Sequence, residues 1–89
     1  MAIISLFYGI IVYLYFEDNK RHHTPHIHVK YQDENAVFSI PEGLLLEGSL
    51  KTSKAKLVQA WIVIHGEDLM ADWELASNGQ SVFKIEPLK

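Results

Sequence analysis

Hydrophobic and polar positions divide this chain into a strand-like half followed by a helix-like half. Residues 3–17 are rich in isoleucine, valine, tyrosine and phenylalanine, side chains that suit a pleated surface. Gly9 interrupts this run near its middle, where it marks a bend, a bulge or a hairpin turn. The stretch Ile10-Ile11-Val12-Tyr13-Leu14-Tyr15-Phe16 has no charged residue and suits a central strand covered on both faces. Residues 17–25 form the first clear loop. Asp18-Asn19-Lys20 is turn-prone, and Pro25 biases Thr24 toward an extended conformation. From His26 to Tyr31 polar and apolar residues alternate. This predicts a strand with His26, His28 and Lys30 on one face and Ile27, Val29 and Tyr31 toward the core. Gln32-Asp33-Glu34-Asn35 reads as a polar turn, and residues 36–40 return as the second arm of a hairpin. Pro41-Glu42-Gly43 closes that strand. Residues 44–50 give another extended segment, with Gly48 as a bulge or loop residue.

The period then changes. Thr52 or Ser53 is placed to cap a helix, and Leu57, Val58, Trp61, Ile62 and Ile64 supply its apolar stripe. His65-Gly66-Glu67-Asp68 breaks or bends it, because glycine is costly inside a helix. A second helix runs from Glu67 or Asp68 to Ser77, with Leu69, Trp73 and Ala76 on one face. Asn78-Gly79 is its stop signal. Residues 81–85 read as a short edge strand that ends by Pro87. The expected fold is α+β. A small antiparallel β-sheet of three to five strands carries one broken helix, or two consecutive C-terminal helices, packed on it.

Composition narrows the setting. A length of 89 residues fits a single domain, residues 1–89, with one core. Domains this small bury a modest fraction of their surface. Burial completed by a partner, most often a second copy, is therefore expected. The chain has no cysteine, so disulfide frameworks and thiolate metal sites are excluded, and a reducing cytoplasm is compatible. Residues 1–16 lack the positive n-region and cleavage pattern of a leader. They are also too short and interrupted to span a bilayer. The expectation is a cytoplasmic protein without a membrane partner. Formal net charge is −3, and charging the five histidines one by one would carry it to +2. At neutral pH this balance opposes non-specific binding to a phosphate backbone. Lys20-Arg21-His22-His23 is a local basic patch whose plainer reading is a solvated turn. Tyr8, Tyr13, Tyr15 and Tyr31 suggest an aromatic strand face able to stack on bases. Without a basic groove beside it, nucleic-acid binding is a minor reading.

The main chemical lead is His22-His23-Thr24-Pro25-His26-Ile27-His28. Alternation sets His26 and His28 side by side, while Pro25 restricts the loop that carries His22 and His23. Imidazoles bind zinc and other divalent transition metals, and three protein ligands plus water make a catalytic zinc geometry. The candidate ligands are His23, His26 and His28, with His22 or His65 as further members. No His-Glu-x-x-His helix motif supports the assignment. A hydrogen-bonded cluster that fixes the loop is the competing reading. General acid–base use is a third, with Glu17, Asp18 or Glu47 as carboxylates that would orient an imidazole. Ser39, Ser49 and Ser53 sit in no nucleophile elbow. Trp61 and Trp73 read as core residues. Asp68 and Asp72, with Glu67 nearby, read as a solvated helix face with favourable N-terminal charge.

The residues also carry a resemblance. Phe7-Tyr8-Gly9-Ile10 and Tyr15 are followed by His23, Pro25-His26 and His28. Then come Tyr31, Gly43, Gly48, Trp61, His65, Glu67, Leu69, Trp73, Gly79 and Ile85-Glu86-Pro87-Leu88. In this pattern the chain resembles the small bacterial proteins of the uncharacterised DUF4160 family over almost its whole length. The loop departs from a common form of the family, which has an aspartate–histidine beginning and two prolines. The resemblance brings no established enzymatic activity. It implies a partner in a small two-gene, toxin–antitoxin-like module, and it places the family's histidine motif on His23, His26 and His28. Two readings follow from residues and resemblance together. One is a small accessory or regulatory protein that binds another protein. The other is a metal-dependent, hydrolytic enzyme using the histidines.

Overall fold

Two tight turns set the register of most of the sheet. The computed structural model describes residues 1–16 and 24–89. Strands β1 (Ala2–Phe7) and β2 (Ile10–Leu14) are joined by Tyr8-Gly9, with φ of 49° and 78°. Positive φ at both central residues is the type I′ geometry, whose twist matches that of the strands. Strands β3 (His26–Tyr31) and β4 (Glu34–Ser39) flank Gln32-Asp33. The connection is thus two residues, not the four-residue polar turn the sequence suggested. Glu34 and Asn35 belong to the strand and pair with Tyr31 and Lys30. Strand β5 (Leu45–Gly48) completes a five-stranded sheet of order β1-β2-β3-β4-β5, antiparallel throughout.

One face of the sheet is the core face. Ile10, Val12 and Leu14 of β2 are buried there, with Ile27 and Val29 of β3 and Ala36 and Phe38 of β4. The alternation in β3 places its apolar set as expected. In β2 the expectation of burial on both faces is not met, because Ile11 and Tyr13 are only half-buried. Helix α1 (Thr52–Ile64) buries Val58, Trp61 and Ile62. Helix α2 (Gly66–Ser77) buries Leu69, Trp73 and Ala76, and both helices contribute to one hydrophobic cluster with the strands. The break at His65-Gly66 is where the sequence put it. Neither Thr52 nor Ser53 caps α1. Lys51 holds that position without a side-chain bond, so both hydroxyl residues lie inside the helix. Ile64, assigned to the apolar stripe, is exposed because α1 ends there, next to the turn into α2.

The last residues do not form the expected edge strand. Ile85 N–H donates to Ile4 C=O of β1 at 2.8 Å. Phe83 N–H instead donates to the Asp72 side chain at 2.9 Å, and Pro87 has no N–H to give. A ladder therefore cannot propagate. Asp72 itself overturns the solvated-face reading of α2, since it is 1% exposed. Among the described residues, no helix is long and apolar enough to cross a membrane.

Candidate functional site

The outer face of the sheet carries a row of side chains set by strand register. Tyr13 lies opposite His28, His28 opposite Val37, and Val37 opposite Glu47. Facing residues on adjacent strands are close enough for their side chains to touch. The row thus runs from an aromatic end on β2 to a carboxylate on β5. Gly48 permits this last step. It lies opposite Ala36 and beside Glu47, with φ of 75°, and a Cβ there would collide with the Asn35 carbonyl.

The aromatic end is a packed cluster. The Tyr13 and His28 rings stack at 5.4 Å. Tyr15 stands edge-on to His28 at 4.6 Å and to Tyr13 at 5.6 Å. Such offset and edge-to-face arrangements are the favourable ones for aromatic rings. Burial, helped by the neighbouring Tyr15, raises the Tyr13 phenol above its ordinary pKa, so it stays a neutral donor and acceptor. Beside this cluster a shallow cavity of about 340 Å³ is lined by Tyr13, Tyr15, His28, Val37, Glu47 and Gly48.

The four-tyrosine face does not form. Tyr13 and Tyr15 are together, but Tyr8 is in the β1–β2 turn. Tyr31 packs against the core, with Lys54 Nζ 4.9 Å above its ring. The sequence offered Glu47 as a carboxylate for an imidazole without placing it, and missed Val37 as a neighbour of His28. Alternation along β4 hints at Val37, but only the register puts it there.

The histidines separate into groups. His26 and His28 lie 5.3 Å apart, centroid to centroid, as their alternation predicted. His26 is fully buried, with its ring 4.8 Å from Trp73. Its Nδ1 is 2.7 Å from Thr24 C=O. A carbonyl only accepts, so Nδ1 is the donor in this bond. His65 sits at the helix junction, 5.6 Å from the Trp61 ring and 4.0 Å from Asp68. His22 and His23 lie outside the described residues, as do Glu17 and Asp18. Among the described residues no three His, Cys, Asp or Glu side chains are grouped to hold a metal ion.

A family model described as a domain of unknown function, DUF4160, matches residues 9–74. No curated protein matches the chain, and no solved structure does.

Proposed function

The chain belongs to the DUF4160 family, whose domain has no assigned function, and from the outer sheet face we propose that it is a small accessory protein that binds another protein. The observation that supports this is the Tyr13–Tyr15–His28 cluster beside its shallow cavity. Tyr15 is 42% exposed, and Leu6 and Ile3, also exposed, precede it on the neighbouring strand. Aromatic side chains that keep one wet edge are enriched where proteins dock. Apolar residues grouped on an exposed face mark interaction surfaces. The partner in this reading is another small protein of a two-gene, toxin–antitoxin-like module, an assignment that rests on family resemblance. The cysteine-free sequence is compatible with the cytoplasm as its location.

A photo-crosslinking residue at Tyr15 tests the reading in cells that carry the chain and its neighbouring genes. One at Val63, exposed on α1, is the control. One defined heteromeric product from position 15, lost on His28→Ala and absent from position 63, is expected. Equal products from both positions, or none from position 15, would sink the proposal.

A second reading, the metal-dependent enzyme, is favoured by the adjacency of His26 and His28 and by the Nδ1–H of His26 held on a carbonyl. That second hydrogen bond is the usual way a ligating imidazole is oriented. His22 or His23 would have to supply a third ligand. Zinc titration of tag-free protein decides it. Near-stoichiometric binding that disappears in His26→Ala/His28→Ala would support the reading, and no binding by the intact chain would remove it.

A further inference from the structure

The two edges of the sheet are protected differently. Strand β5 has four residues, a register irregularity beside it and a glutamate, Glu47. Shortness, bulges and charge are recognised ways to blunt an edge. Strand β1 has six residues, and residues 1–16 contain no charge. Its Ile3 and Leu6 are exposed. An uncharged apolar edge of this length is an invitation to pair with another strand.

The C-terminal segment covers that edge without completing a ladder. Beyond the Gln80 N–H bond to Leu75 C=O at the end of α2, hydrogen bonds to α2, β1 and α1 hold it. Phe83 N–H reaches Asp72 Oδ1 at 2.9 Å, Ile85 N–H reaches Ile4 C=O at 2.8 Å, and Trp61 Nε1–H reaches Glu86 C=O at 2.7 Å. The Ile85 side chain is buried in the core. Only one of these bonds is made to β1. Between strand and segment a cavity of about 280 Å³ remains, bounded by residues 3–6 and by Lys84 to Pro87. Lysine and proline are the residues that usually guard an edge strand from within. Here they stand on the segment that covers it.

We infer that residues 80–88 form a strap closed over the outer edge of β1, and that opening the strap frees this edge to pair with β1 of a second copy. A second copy is the occupant that fits the charge pattern. A strand without charge meets no repulsion from itself. Antiparallel pairing about a two-fold axis makes the same patch its own complement. Ile3 and Leu6 also border the docking face proposed above, but the pairing inferred here is made by the β1 backbone at the sheet's edge, and sedimentation of the chain alone tests it without a heteromeric partner.

The test uses the full chain. Phe83→Pro removes the donor to Asp72 at a residue whose side chain is 71% exposed, so little packing is lost. Ile85→Ala removes the buried anchor. Hydrogen exchange at the strap amides reports opening, and sedimentation over a concentration series reports assembly. Faster strap exchange in both variants is expected, with the dimer dissociation constant lowered at least tenfold. Adding Leu6→Lys should abolish the dimer and leave the strap open. An open strap with an unchanged monomer would overturn the inference. So would unchanged strap exchange in both variants, or a dimer indifferent to Leu6→Lys. If Ile85→Ala does not fold, Phe83→Pro alone carries the same readouts.

Discussion

At the scale of the residue, Asp72 is the position whose chemistry the fold changes most. Its spacing with Asp68 marks a solvated helix face, yet its side chain is buried and its Oδ1 accepts from Phe83 N–H. Oδ2 is buried with no hydrogen-bond partner among the described residues. Burial raises its pKa, the Phe83 hydrogen bond lowers it, and Asp68 raises it again; the net direction is upward. A carboxyl whose folded pKa exceeds its unfolded value of about 3.9 holds its proton more tightly when folded. Its contribution to stability is therefore present below the unfolded value and is lost as pH rises through the folded one. Asp72→Asn keeps an oxygen for Phe83 N–H and removes the charge. Urea unfolding from pH 3.5 to 7 should show the Asn variant gaining on the wild type as pH rises. A gap that moves the other way contradicts the raised pKa. Asp72→Ala, which leaves the Phe83 N–H without its acceptor, should cost about 1–3 kcal/mol.

At the scale of the element, alternation was legible and register was not. The sequence shows Ile27 and Val29 turning to the core with His26 and His28 opposite, because a strand's side chains alternate whatever surrounds it. That His26 is buried as well depends on Trp73, brought to it by a helix far along the chain. No local pattern records that contact. The same holds for Glu47, whose alignment with Val37 and His28 is set by pairing across three strands. Gly48 is the residue that ties β5 to the candidate site. With φ of 75° and the Asn35 carbonyl in the way of a Cβ, Gly48→Ala should cost about 2–4 kcal/mol. The damage should be local to the β4–β5 pair. Amide shifts of residues 35–37 and 45–48 should move while those of β1 and β2 stay. Uniform shifts across all five strands, or no loss of stability, would show that the β4–β5 pairing does not depend on glycine here.

At the scale of the whole molecule, Trp61 joins β1, the helix junction and the C-terminal strap. The sequence marks it as core, and it is fully buried. Its position between elements could not be read, since each neighbour comes from a different stretch. Its ring lies 5.3 Å from Phe7 of β1 and 5.6 Å from His65 at the helix junction. Its Nε1–H holds the Glu86 carbonyl of the strap. Removing a buried tryptophan side chain costs about 3–5 kcal/mol, a large share of the roughly 5–15 kcal/mol that stabilises a domain. If the sheet and helices stand on one core, Trp61→Ala should lower the whole transition. Far-UV signal from the helices and near-UV signal from the Tyr13–Tyr15 cluster should then be lost at the same, reduced midpoint. Trp61→Phe keeps a ring and loses the hydrogen bond, so it should cost less while speeding exchange in the strap. Helices that melt while the tyrosine signal survives would mean that the sheet carries its own stability, with α1 and α2 docked on it as a separable layer.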